Sequence, residues 1–211
     1  MTTTINAIPQ FLLQSKAIKL EPTRPFTWAS GWKSPIYCDN RITLSFPEIR
    51  RAICHAFVEK IRQHYPGVEV IAGVATGAIA QGVLVAEDMN LPFAYVRSAP
   101  KKHGMENLIE GIVNPGQKVV VVEDLISTGG SSLQAVDALR KAGADVLGMV
   151  AIFTYGFATA ENNFKKSNCK LVTLTNYMEL LDLAVQSGYL KAEQLDVLKH
   201  WRQSPETWMQ E

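Results

Sequence analysis

Cysteine is scarce in this chain: three in 211 residues, Cys38, Cys54 and Cys169. An odd number at wide spacing sets up neither a disulfide framework nor a cysteine metal pattern, which fits a reducing cytoplasmic setting. Excess charge of one sign is also lacking. The 21 Lys and Arg against 20 Asp and Glu leave a formal +1. No general affinity for nucleic acid or an anionic membrane is therefore expected, and any anion site must be local. No apolar run approaches the ~20 residues that a membrane helix needs. No Lys or Arg precedes Lys16, so no secretory signal is expected at the N-terminus. Internal repeats and low-complexity segments are absent from the sequence. What is present is a hydrophobic content of 47%, which marks a globular chain. Its length suits one domain able to bury about 70% of its unfolded surface.

The most informative stretch is 119–132. Val119, Val120, Val121 and Val122 are β-branched and apolar, which suits a strand buried on both faces. Glu123 and Asp124 follow at its C-terminal end. Then come Leu125, Ile126, Ser127, Thr128, Gly129, Gly130, Ser131 and Ser132, and apolar residues at helical spacing from Leu133. A small glycine turn entering a helix presents backbone N–H groups at the positive end of the helix dipole, which is a phosphate cradle. Carboxylates beside a phosphate need a partner of their own, and sugar hydroxyls or a metal satisfy them. The combination points to a phosphorylated sugar. Two other phosphate loops fit poorly. The triphosphate loop needs a lysine after its last glycine, and none occurs before Lys141. The dinucleotide turn needs three placed glycines, and only Gly129 and Gly130 are there.

Strand and helix signals alternate along the chain. Helices are predicted over 5–16, 47–65, 78–88, 157–166, 176–186 and 191–202, with Ser45 as a cap and Pro47 in the first turn of the second. Strands are predicted over 17–20, 68–75, 93–96, 119–122, 146–154 and 171–174. This order argues for an α/β domain, a mainly parallel sheet with helices on both faces. Ligands of such sheets bind beyond the strands' C-terminal ends, where the acids, the glycine turn and a second small turn at Thr76 and Gly77 fall.

Two segments break the alternation. Residues 25–41 are aromatic-rich and centred on Ser30 and Gly31, which predicts a hairpin arm. Trp28, Trp32 and Tyr37 there offer flat faces for a planar ring, or for packing against the body. Residues 97–107 show no periodicity and carry Arg97, Lys101, Lys102 and His103 within seven positions. Long irregular connections are disordered or functional, and this charge suits a lid that closes on an anion.

The stretch from Val119 to Ser132 resembles the sugar-pyrophosphate motif of the type I phosphoribosyltransferases. Phe26, Thr27, Trp28, Ala29, Ser30 and Gly31, with Lys33, Ser34, Pro35, Ile36 and Tyr37, look like the arm of the orotate phosphoribosyltransferases within that superfamily. Arg97, Lys101, His103 and Gly104 look like their mobile loop. The resemblance implies one phosphoribosyltransferase domain over 1–211, an N-terminal hood over 1–45 and a mobile catalytic loop over 97–111. It implies that Glu123 and Asp124 hold the ribose hydroxyls, and that Leu125, Ile126, Ser127, Thr128, Gly129, Gly130 and Ser131 hold the 5′-phosphate. Arg97, Lys101, His103, Thr76 and Gly77 would take the pyrophosphate, and Ser127, Lys33 and Tyr37 the orotate. Lys101, Asp124, Arg97 and His103 would be the catalytic set. Mg²⁺ would arrive on the pyrophosphate with no protein side chain as ligand. A cytoplasmic homodimer sharing its loop across subunits is implied, with no nucleic acid or membrane partner.

Two positions depart from the family pattern. Ala29 and Thr76 stand where many members carry lysines, and Lys33 is the expected substitute toward the orotate carboxylate. A purine-type phosphoribosyltransferase and a non-catalytic regulator sensing the sugar pyrophosphate are the rival readings. The aromatic arm favours orotate, and the retained lid cations with near-zero net charge disfavour a DNA-binding regulator.

Overall fold

The computed structural model describes residues 7–28, 30–98 and 108–209. Six strands form the central sheet. Three run along one half: β5 (Val70–Val74), β6 (Phe93–Val96) and β7 (Ile109–Glu110). The other half holds β8 (Lys118–Ile126), β9 (Asp145–Thr154) and β10 (Leu171–Asn176). Their order across the sheet is β10, β9, β8, β5, β6, β7, parallel except for β7 against β6. The chain winds outward in opposite directions from β5 and β8. The switch point of this doubly wound sheet therefore lies between those two strands, which is where a ligand crevice opens.

The valine run explains the layers. Val120 and Val122 pack into one apolar layer and Val119 and Val121 into the other, all with no exposed surface. The first layer is covered by α1 (Ile8–Gln14), α2 (Pro47–His64), α3 (Ile79–Met89), α6 (Tyr177–Gln186) and α7 (Leu195–Gln203). The second is covered by α4 (Gly130–Lys141) and α5 (Ala158–Lys166). A strand buried on both faces cannot alternate polar and apolar residues, so a continuous β-branched run is what the position requires.

The arm is a hairpin, as predicted. β2 (Phe26–Thr27) pairs antiparallel with β3 (Lys33–Ser34), while β1 (Ile18–Leu20) pairs with β4 (Ile36–Cys38). A 3₁₀ segment, Asn40–Ser45, then leads to α2. Ser45 is not the cap of α2. Phe46 takes that place without a side-chain bond, because the residue before Pro47 is held extended (φ −112°, ψ 100°) and the helix must start at the proline. Asn176 does cap α6, accepting from the N–H groups of Met178 and Glu179.

The C-terminal helix ties the hood to the sheet. Trp201 Nε1 donates to Lys33 O at 3.1 Å, and Arg202 donates to the carbonyls of Tyr155 and Gly156. The short strand β7 lies within 97–111, the span that the family resemblance implies for the mobile loop. Two residues carry no readable period, and only pairing with β6 defines them.

Candidate active site

β8 delivers the motif to the open end of the sheet. Gly129 turns the chain there with φ +79° and occupies the cap position of α4 without any side-chain bond. The first N–H groups of α4 thus have no intrahelical acceptor and no cap, and α4 has no acidic side chain in its first turn. They face a cavity of 470 Å³ lined by Ser127, Thr128, Gly129, Gly130, Ser131 and Ser132 on one side and Thr76 and Gly77 on another. An uncapped helix N-terminus in a small-residue cup favours a phosphate through both its free donors and its dipole. Gly129 also passes close to α5: a Cβ there would lie 2.7 Å from the Phe164 ring. Asn163 on α5 donates to Thr128 O at 3.0 Å and fixes the turn from outside. Ile126, by contrast, is fully buried in the layer under α4, and Leu125 faces the cavity.

The two acids differ. Glu123 is 5% exposed; it accepts from Ser132 Oγ at 2.8 Å and from the Asp124 N–H at 2.9 Å. Burial, then the neighbouring Asp124, pushes its carboxyl well above the usual carboxylate range. Asp124 is half-buried and presses its carboxylate on the Cα of Gly77 from the adjacent strand end. A raised acid binds more protons folded than unfolded, so its contribution to stability falls as pH rises from its unfolded value of about 4.5 upward. Glu123→Gln is therefore expected to raise the melting temperature at pH 7, by about 2–4 °C per kcal/mol recovered. Its stability should also vary less between pH 5 and 8 than wild type; parallel curves in a thermal-denaturation series would refute this.

Two further cavities flank the first. One, of 260 Å³, is lined by Thr27, Trp28, Tyr37, Cys38, Leu125, Ser127 and Tyr155, and shares Cys38, Leu125 and Ser127 with the first cavity. The other, of 520 Å³, is lined by Ala75, Thr76, Ile79, Tyr95, Arg97, Ser98 and Glu110, and shares Ala75 and Thr76. The three run together around the ends of β5 and β8: the aromatic one, the one with the paired acids, and the one holding Arg97 and Glu110.

The aromatic residues divide between the two readings. Tyr37 is 39% exposed at the cavity wall. Trp28 packs against Tyr155 and Trp201 at centroid distances of 5.2 and 5.6 Å, donates Nε1–H to Ile36 O, and still shows an edge to the cavity. Lys33 lines none of the three cavities; its Nζ bonds Thr27 Oγ1 at 3.0 Å. Arg97 lines the 520 Å³ cavity and pairs there with Glu110 at 3.3 Å. Ala29, Lys101, His103 and Gly104 lie outside the described residues.

Cys38, Asp39, Arg41 and Tyr155 line these cavities although the sequence pattern did not single them out. Arg41 holds Asp39 in a two-point bond of 2.7 and 3.0 Å, and that guanidinium keeps the Asp39 carboxyl below the usual range. The adjacency of Asp39, Asn40 and Arg41 to the arm was the one available signal. Tyr155 follows an ordinary buried strand and had none.

Comparison with known proteins gives consistent similarities. Residues 44–187 match the model of the phosphoribosyl transferase domain family. The chain is 58% identical over 208 residues to the orotate phosphoribosyltransferase of Porphyromonas gingivalis, covering 99% of each. It is 57% identical over 201 residues to that of Streptococcus gordonii, covering 95% of this chain and 96% of the other. Among solved structures, Leishmania donovani UMP synthase superposes with a TM-score of 0.78 at 26% identity, over 93% of this chain and 42% of that one. The orotate phosphoribosyltransferase of Aeropyrum pernix has the same fold, with a TM-score of 0.71 at 24% identity over 83% and 98%.

Proposed function

The chain belongs to the orotate phosphoribosyltransferases of the phosphoribosyl transferase domain family, and from that premise we infer how its site works. It transfers the phosphoribosyl group of 5-phosphoribosyl 1-pyrophosphate to orotate, giving orotidine 5′-monophosphate and pyrophosphate, a step of pyrimidine synthesis. The observation that carries the site assignment is the sequence of three joined cavities: an aromatic one, one with the paired acids and the glycine turn, and one holding the Arg97–Glu110 pair. A planar base, a ribose and a pyrophosphate line up in that order when a ring nitrogen attacks C1′ from the face opposite the leaving group.

In this reading the uncapped N-terminus of α4 and the hydroxyls of Ser127, Thr128 and Ser131 hold the 5′-phosphate. Asp124 accepts from ribose hydroxyls, and Glu123 sets the floor beneath it through Ser132. Tyr37 and the edge of Trp28 take the faces of orotate. Arg97 leaves Glu110 for the pyrophosphate, while Thr76 and Gly77 supply the wall. Lys101 and His103 come down from the lid, Lys33 stands at the rim by Thr27, and the lid of each subunit serves the other in a homodimer. Breaking the C1′–oxygen bond puts positive charge on the ribose and negative charge on the leaving group, so cations held at the far cavity lower the barrier. A closed lid excludes the water that would otherwise hydrolyse the activated sugar. Nothing in this sequence of events asks for a covalent intermediate.

Mg²⁺ fits this donor set. Among the described residues no group of three His, Cys, Asp or Glu is arranged for a metal. Mg²⁺ would be held through the pyrophosphate oxygens and its own waters, with no protein side chain as direct ligand. Bound there, it would neutralise charge on the leaving pyrophosphate. Among the described residues no helix is long and apolar enough to cross a membrane.

Loss of orotate absorbance on mixing enzyme, orotate, the sugar pyrophosphate and Mg²⁺ tests the activity; an unchanged spectrum would overturn it. Asp124→Asn is expected to weaken binding of the sugar substrate about tenfold, the value of a lost charge-assisted hydrogen bond. Orotate binding should change little. Unaltered affinity for the sugar substrate by calorimetry would remove Asp124 from that role.

A further inference from the structure

The arm and the acidic motif are 84 residues apart in sequence, yet one buried side chain joins them. Asn40 follows β4 and is 2% exposed. Its Nδ2 donates to the backbone carbonyl of Asp124 at 2.6 Å, and its Oδ1 accepts from Cys38 Sγ at 3.4 Å. Cys38 lines both the aromatic and the acidic cavity. The backbone carbonyl of Asn40 is used as well, by Thr43 Oγ1 at 2.6 Å, so the residue is fixed at both ends. Pairing of β8 with β5 ends at Val122 while pairing with β9 continues to Ile126, so Asp124 lies on a part of β8 with a strand along one side only. The Asn40 side chain reaches its carbonyl from the arm.

We propose that Asn40 is a positioning residue: it holds the Asp124 main chain so that the Asp124 carboxylate stays aimed at the sugar, in register with the base cavity. This rests on the assignment of the acidic cavity to the ribose. An amide is suited to the task. It offers one donor to the carbonyl and one acceptor to the thiol without a buried charge, and both partners would be left unsatisfied by an apolar replacement.

The test uses the full-length enzyme and two variants. Asn40→Leu keeps the volume and removes the donor. It is expected to raise the KM for the sugar pyrophosphate ~10-fold with a smaller change in kcat, the scale of one lost hydrogen bond. Asn40→Asp keeps the shape and the acceptors but, ionised at neutral pH, offers the Asp124 carbonyl no donor, so at pH 8 it should raise that KM at least as much as Asn40→Leu. A double-mutant cycle with Asp124→Asn should be strongly non-additive, since one residue acts through the other. Additive losses, or an Asn40→Asp enzyme with wild-type KM for the sugar pyrophosphate, would overturn the proposal. Wild type failing to consume orotate would instead overturn the assignment on which it rests. A variant that only destabilises the fold would lower the melting temperature and leave the KM of the folded fraction unchanged.

Discussion

Lys101→Ala is expected to lower kcat by about 10²–10³-fold, the usual cost of removing one preorganised charge-stabilising group. The reason lies in the charges left at the leaving-group cavity. Arg97 stands there already paired with Glu110, so its charge is partly spent before substrate arrives. Thr76 gives the neighbouring turn a neutral side chain. Stabilising a departing pyrophosphate then depends on the cations at 101–103, of which Lys101 is the one the family resemblance makes catalytic. The interaction grows as the bond breaks, so the loss should appear in kcat more than in KM. Steady-state rates with saturating orotate and sugar pyrophosphate read this directly. Turnover within about twofold of wild type would assign the task to another group. His103→Ala should cost less, because histidine lacks the permanent charge of lysine.

Gly77→Ala is expected to lower kcat/KM by about 10²-fold, although it adds a single methyl. Gly77 is not among the positive-φ residues, so the backbone accepts alanine without strain. The obstacle is spatial. A Cβ at 77 would occupy the place of the Asp124 carboxylate, which lies against the glycine Cα. That carboxylate is the free end of a side chain and can swing away, so the fold should survive while the ribose contact does not. Thermal stability within a few degrees of wild type, with a large rise in KM for the sugar pyrophosphate, is the expected pair of results. Unchanged kinetics would mean that the carboxylate does not need its present orientation. Severe unfolding would mean that the turn after β5 is a packing element before it is part of the site.

These two variants illustrate how far local pattern reaches. The valine run, the paired acids and the hydroxyl–glycine turn are contiguous, and contiguous residues in one strand–turn–helix unit have a fixed spatial relation. Strand, cup and helix dipole follow from order and residue type alone. The hairpin was legible for the same reason, since Ser30 and Gly31 between aromatic strands define their own turn. Ser45 was misplaced as a cap because Pro47 acts on the residue before it, and β7 was invisible because two residues have no period. The pressure of Asp124 on Gly77, and its anchoring by Asn40, join segments 47 and 84 residues apart and have no local signature.

The sequence by itself determined that a parallel α/β sheet ends in a small hydroxyl–glycine turn beside two carboxylates, and that an aromatic arm and a basic segment belong to the same chain. Only the tertiary structure decided how these parts meet. It buried Glu123 against Ser132 and left Asp124 half-buried, both lining the same cavity, because neighbouring residues on a strand point to opposite faces. It also turned Lys33 onto Thr27, paired Arg97 with Glu110, and brought Tyr155 beside the arm. Such contacts depend on the crossing of β5, β8, β9 and the hood in space. No spacing along the chain encodes them.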